Sequence, residues 1–334
     1  MSTVQRDRLI DQWVRQDLGL NPVGPIAPAS SDASFRRYLR LRLPGRSLIV
    51  MDAPPQHEDV RPFIAVAKLL AEAGVRVPRI HEADEERGLL LLEDFGDRHM
   101  LAALLHEDRT ARELRYREAL DTLLRIRCSD ASSLPAYDAS RLTSEMSLYT
   151  EWYLGQHLQV ALSEEEQGIL QDGFDRILCV VLEQPPGFVH RDYHARNLMA
   201  PDDGLGPGVL DFQDAVGGGV TYDLASLLRD SYFELDEPAV DGLIQHFHRR
   251  WQQRAIEPAV DLSDFRRWFD HTAAQRHLKV LGIFARLSHR DGKHGYLPDL
   301  PRTHRNLLRS LAPWPELGHF RALVARHSPK AERP

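Results

Sequence analysis

The sequence predicts an α+β fold of two lobes: a small one of antiparallel strands with one main helix, and a larger, mainly helical one. Three observations predict it. Apolar residues alternate with polar ones, or run together in short bursts, mostly within the first third of the chain. Most of the remainder has helical spacing, interrupted by two brief apolar strands. Finally, 334 residues are enough to bury two cores. The division is expected at a hinge around residues 91–96, giving lobes 1–92 and 93–334.

Along the chain, residues 3–18 space Val4, Leu9, Trp13 and Leu18 at roughly helical intervals. A Pro/Gly/Ser stretch over 21–31 separates them from Tyr38-Leu-Arg-Leu-Arg-Leu43, the period-two mark of a half-buried strand. Pro44-Gly45 is a turn, and Ser47 to Met51 is a second strand. Residues 60–74 return to helix spacing and stop at Gly74. Ile80 to Ala83 and Gly88 to Leu92, joined by a charged turn, form a hairpin. Beyond Gly96 helices are predicted over 112–127, 163–181, 240–251, 264–288 and 304–325, and Ser163 with Glu166 forms a capping box. The interrupting strands are Gly187 to His190 and Gly208 to Asp211.

Composition narrows the function classes. Lys plus Arg number 42 against 49 Asp plus Glu, a net charge of -7, which disfavours a nucleic-acid or anionic-membrane binder. Cys128 and Cys179 stand far apart with no C-x-x-C spacing, so reduced, packed thiols are expected rather than a zinc site or disulfide. The 16 histidines show no H-E-x-x-H pattern. No apolar h-region opens the chain and no stretch is apolar enough to span a bilayer, so a cytoplasmic enzyme is expected.

The informative segment is Phe188 to Met199, which sets His190, Asp192 and Asn197 in H-x-D-x-x-x-x-N order directly after an apolar strand. Asp211 ends the next strand. Phosphoryl transfer needs these residue types together, because its loose transition state asks the protein to position groups and neutralise charge. Asp192 suits the carboxylate that meets the acceptor hydroxyl. Asp211 suits a Mg²⁺ ligand, and the Asn197 amide oxygen completes a metal shell without adding charge. His190 is expected to brace the loop, and His194 to be exposed near the acceptor.

The segment resembles the corresponding loop of the aminoglycoside phosphotransferase, choline kinase and homoserine kinase family, which implies a bilobal protein-kinase-like fold using ATP and Mg²⁺. Leu210 to Ala215 resembles the family's metal-binding strand end, and Tyr222-Asp-Leu-Ala225 the segment after it, which implies that Asp223 caps a helix and braces the loop. Leu89 to Asp94 resembles the hinge holding adenine through its backbone, which puts Glu93 beside the nucleotide. Four stretches are closer to the bacterial N-acetylmuramate/N-acetylglucosamine kinases: Ser31 to Tyr38, Leu48 to Pro55, Val209 to Val216 with Thr221 to Arg229, and Gln275 to Arg286. That likeness implies a kinase phosphorylating the anomeric hydroxyl of an amino sugar in peptidoglycan recycling; a monomer without nucleic-acid or membrane partners is expected.

Two positions depart from the family pattern. The expected phosphate loop has no G-x-G-x-x-G, leaving the small residues Ser31 and Ser34 to let backbone N–H groups approach phosphate. Met51 stands where the family has a phosphate-binding Lys, so another cation is expected to substitute, with Arg37 and Lys68 as candidates. Candidate sugar contacts are Gln213 and Asp214 beside Asp211, Glu145 and Trp152 on one predicted helix, and Arg276 with Lys279 on one helical face together with Arg286. The alternative for that basic face is simple solvation.

Overall fold

The alternating Arg-Leu segment and the apolar runs after it become the middle of a five-stranded antiparallel sheet in the computed structural model, which describes residues 3–30, 35–201, 204–254 and 259–329. The chain divides into two packing units: residues 1–99 with 199–214, and 100–198 with 215–334.

In the first unit α1 (Thr3–Gln12) runs into a π-helical turn, Trp13–Asp17. Then come β1 (Ala27–Ser30), β2 (Arg37–Leu43), β3 (Arg46–Asp52), α2 (Arg61–Glu72), β4 (Ile80–Asp84) and β5 (Leu89–Glu93). The sheet order is β1-β2-β3-β5-β4. β1 was hidden in the Pro/Ser stretch; at a sheet edge the missing N–H of Pro28 is tolerated. β3 and β5 are buried on both faces, which is why they read as continuous apolar runs. Leu48, Val50, Leu89 and Leu91 pack with Ile10, Trp13 and Val14. Buried carboxylates require partners, and Asp52 has two, Arg6 and Arg37, each at 2.6 Å. Arg37 also reaches Asp7 at 2.8 Å, tying α1 to the sheet. α2 ends as predicted, with Gly74 at φ +72 and the Val75 N–H donating to the Leu70 carbonyl at 2.9 Å.

The chain continues through α3 (Met100–His106), α4 (Arg109–Arg127), α5 (Ala139–Leu148), a π-helical stretch Tyr149–His157 and α6 (Glu164–Leu182). Four short strands follow: β6 (Pro186–Val189), β7 (Leu198–Met199), β8 (Gly208–Val209) and β9 (Val216–Gly219). Then come α7 (Tyr222–Leu228), α8 (Glu237–Gln253), α9 (Leu262–His289), α10 (Leu300–Leu311) and α11 (Gly318–Arg326). β6 and β9 pair antiparallel. The capping box is present: the Glu166 N–H donates to Ser163 Oγ and the Ser163 N–H to the Glu166 carboxylate. α9 is the axis of the second unit, buried almost all round, with α5, α6, α7 and α10 against it.

The structure revises several expectations. Residues 93–99 and 199–214 pack with the first unit rather than the second. The Val209 N–H donates to the Arg76 carbonyl and the Ala200 N–H to the Arg98 carbonyl, both at 2.8 Å, and the Phe212 ring packs at a tilt on Phe63 with centroids 4.7 Å apart. The helix expected over 304–325 is two, because Pro313 and Pro315 break it. Cys128 and Cys179 are free, as expected, but exposed: one caps α4 and the other lies on the solvent face of α6.

Gly282 marks the tightest approach to α9. A Cβ there would sit 2.3 Å from the Leu148 carbonyl carbon, where α5 passes into the π-helical stretch. Gly282→Ala, although it favours helix, is expected to destabilise the protein by about 1–3 kcal/mol through overpacking. Urea unfolding of the variant checks this; equal or higher stability would show that the two segments yield.

Candidate active site

The loop after β6 is held by bonds to its backbone. Arg191 has φ +78, a left-handed conformation costly for a side chain with a Cβ. Three partners fix it. Its N–H donates to Asp223 at 2.9 Å, its carbonyl accepts from Arg276 at 2.7 Å, and its guanidinium donates to Glu145 at 2.7 Å. The other Asp223 oxygen accepts the His190 N–H at 2.7 Å, so Asp223 braces the loop as expected, but its side chain does not cap α7. Buried His190 turns Nδ1 toward the Asp192 N–H at 3.3 Å, a brace on the same backbone. Further along, the Ala195 N–H donates to the buried carboxylate of Asp230 at 3.2 Å. Asn197 donates Nδ2 to the Asp192 carbonyl at 3.0 Å, so its amide oxygen is the end turned away from that carbonyl.

Asp192 keeps 41% of its side-chain surface open, with Arg276 3.8 Å away. Burial pushes its carboxyl up, yet Lys279 and Arg276, followed by His194 and Arg191, hold it well below the usual carboxylate range. Arg276 and Lys279 are themselves buried, so the basic face expected from spacing is not a solvated one; Arg286 on the same face is half-buried. Lys279 lies 3.2 Å from Glu145, which also accepts from the Tyr137 hydroxyl and, at 3.4 Å, from Gln275. Trp152 packs against the core of this unit instead. His194 is half-buried rather than exposed: burial lowers it to about 3, and its ring meets Tyr232 edge-on at 5.2 Å.

In the first unit Asp211 also has positive φ, +60. Gln213 donates Nε2 to Asp211 at 2.8 Å and to exposed Asp214 at 3.2 Å. Neither sequence candidate replaces the missing Lys. Arg37 is engaged with Asp7 and Asp52, and Lys68 is exposed beside Glu72. A cation within the field of Asp211 is Arg36, which sequence reasoning passed over and which donates to Glu58 at 3.1 Å. Met51 is buried within β3. The Glu93 N–H is committed to the Arg79 carbonyl at 2.9 Å. Ser31 and Ser34 lie outside the described residues. Sequence reasoning also missed Arg191 and Tyr137, whose only signal is their position beside the motif and before α5.

Asp211 in the first unit and Asn197 in the second each carry a side-chain oxygen, the hard ligand type that Mg²⁺ takes. Among the described residues no three His, Cys, Asp or Glu gather as a softer metal would require.

Residues 25–256 match the phosphotransferase enzyme family. The chain is 46% identical over 318 residues to an N-acetylmuramate/N-acetylglucosamine kinase of Pseudomonas aeruginosa, covering 95% of this chain and 93% of that one. A kinase of the same description from Pseudomonas putida is 40% identical, over 97% and 94% of the two chains. Among solved structures, a choline/ethanolamine kinase family protein from Mesorhizobium loti superposes with TM-score 0.63 at 14% identity, over 96% of this chain and 99% of that one, a likeness of fold alone.

Proposed function

Since this chain belongs to the phosphotransferase enzyme family, we propose that it moves the γ-phosphate of ATP to the anomeric hydroxyl of N-acetylmuramate or N-acetylglucosamine. Support comes from its likeness to kinases of that description. The single observation that carries the mechanism is the loop 190–197, where backbone clamps aim one ionised, partly open carboxylate.

Asp192 receives the sugar hydroxyl. Held well below the usual carboxylate range, it is a weak base. That suits a loose transition state, in which the attacking oxygen keeps its proton until late. Its first task is therefore orientation. Asp211 and the Asn197 amide oxygen would hold Mg²⁺, which would neutralise charge on the nucleotide phosphates. Arg36 takes the part of the missing Lys toward those phosphates, with Glu58 fixing its guanidinium. Glu93, whose N–H donates to the Arg79 carbonyl, is proposed beside the base. Gln213, Asp214, Arg276 and Lys279 are proposed on the acceptor side, the last two drawing the carboxylate of a muramate. The enzyme is read as a cytoplasmic monomer acting on two small molecules; among the described residues no helix is long and apolar enough to cross a membrane.

N-acetylmuramate, N-acetylglucosamine and kanamycin incubated in parallel with Mg·ATP, followed by NMR of the products, test this. Phosphate at C1 of either acetylated sugar is expected. Transfer to kanamycin alone, or to none of the three, would overturn the amino-sugar reading.

A further inference from the structure

We propose that Glu145 is a positioning residue for phosphoryl transfer: through Arg191 it holds the left-handed backbone that aims Asp192, without itself touching the sugar. The inference rests on Asp192 being the group that meets the acceptor hydroxyl.

Sequence spacing puts Glu145 among the sugar contacts, but its acceptor capacity is already taken. One carboxylate oxygen accepts from Arg191 at 2.7 Å and faces Lys279 at 3.2 Å. The other accepts from the Tyr137 hydroxyl and from Gln275 at 3.4 Å. A carboxylate accepts about four hydrogen bonds in all, so a sugar hydroxyl would have to displace one of these donors. Only 11% of the side-chain surface is open.

Three of those donors, Arg191, Tyr137 and Lys279, bear on the loop. Arg191 sits one residue before Asp192 in a conformation that a Cβ disfavours; its backbone N–H, its carbonyl and the Nη2 end of its guanidinium are engaged, while its buried Nε has no partner. Two of the three holds, from Asp223 and Arg276, act on its backbone. Glu145 supplies the third, the one acting on the side chain, while the Tyr137 ring lies under the guanidinium at 5.6 Å. Glu145 also balances two of the groups that depress the Asp192 carboxyl, Arg191 and Lys279. Removing its charge would both release the Arg191 side chain and leave the cations pulling on Asp192 alone.

A double-variant cycle tests this. Glu145→Gln is expected to lower kcat about 100-fold, the cost of a small displacement of a reacting group. KM for sugar and for ATP should stay within about threefold, because no bound atom is lost. In an Arg191→Gly background, where positive φ carries no Cβ penalty and no guanidinium needs anchoring, the same change should cost less than about tenfold. A raised sugar KM with kcat intact would make Glu145 a direct contact, and equal losses in both backgrounds would sever it from Arg191; either overturns the proposal. Hydrogen exchange of the peptide over residues 188–194 needs no substrate. Faster exchange there in Glu145→Gln is expected, and unchanged exchange counts against the proposal even if the wild type phosphorylates none of the sugars. Tyr137→Phe, which removes one donor to the same carboxylate, carries the same expectation in smaller measure if Glu145→Gln does not fold.

Discussion

Asp192→Asn is expected to lower kcat by about 10²- to 10⁴-fold, the range a positioned proton acceptor supplies, while ATP binds as before. The amide keeps the size of the carboxylate and can still hydrogen-bond an alcohol, so substrate binding has little reason to change. It cannot take a proton, and it leaves Arg276, 3.8 Å from the carboxylate in the native chain, without that charge. Steady-state kinetics with calorimetric titration of ATP checks both halves. Turnover within about tenfold of wild type would remove Asp192 from the chemistry. The pH profile is a companion test. A carboxyl whose folded value is depressed stays ionised as pH falls, so no acid limb from Asp192 should appear between about pH 8 and 5.

Asp211→Ala is expected to weaken Mg·ATP binding itself by at least about 100-fold. Changing groups behind a metal's ligands already costs 10- to 100-fold, and here a ligand itself would be lost. Titration with and without Mg²⁺ separates the metal contribution from that of the base and ribose; unchanged affinity in the presence of Mg²⁺ would show that the ion is held elsewhere. Asp211→Gly sharpens the comparison. With φ +60, Asp211 sits where a Cβ costs about 1–2 kcal/mol. Gly relieves that strain while losing the bond from Gln213. The Gly variant should be at least as stable as the Ala variant, yet equally poor at binding nucleotide. A parallel loss of stability and binding would instead mean that Asp211 mainly shapes its turn.

Most of the sheet and the chemical motif could be read from residue order because both rest on local pattern. Tyr38 to Leu43 alternates because Leu41 on one face of β2 is buried while Arg42 on the other is exposed, and the H-x-D-x-x-x-x-N spacing lies within a single loop. What escaped depends on distant partners. Nothing near Val209 announces that its N–H goes to Arg76, so the return of residues 199–214 to the first unit leaves no periodic trace. The charged stripe on α9 looked compatible with solvent because spacing reports which residues share a face, not what covers it. Arg36 was missed for a similar reason: its significance lies in Glu58 and Asp211, 22 and 175 positions away. Positive φ at Arg191 has no composition signal at all, since neither Gly nor Asn is there to suggest it.

α9 acts as a common rod for two otherwise separate demands. Lys279, facing Glu145, and Gly282, seated on the backbone at Leu148, are one turn apart on it. A methyl wedge at 282 would shove the rod outward and drag the ammonium off its carboxylate, so the variant made to probe packing should also turn over slowly. Among surviving Gly282 substitutions, loss of fold and loss of rate should therefore rise in proportion.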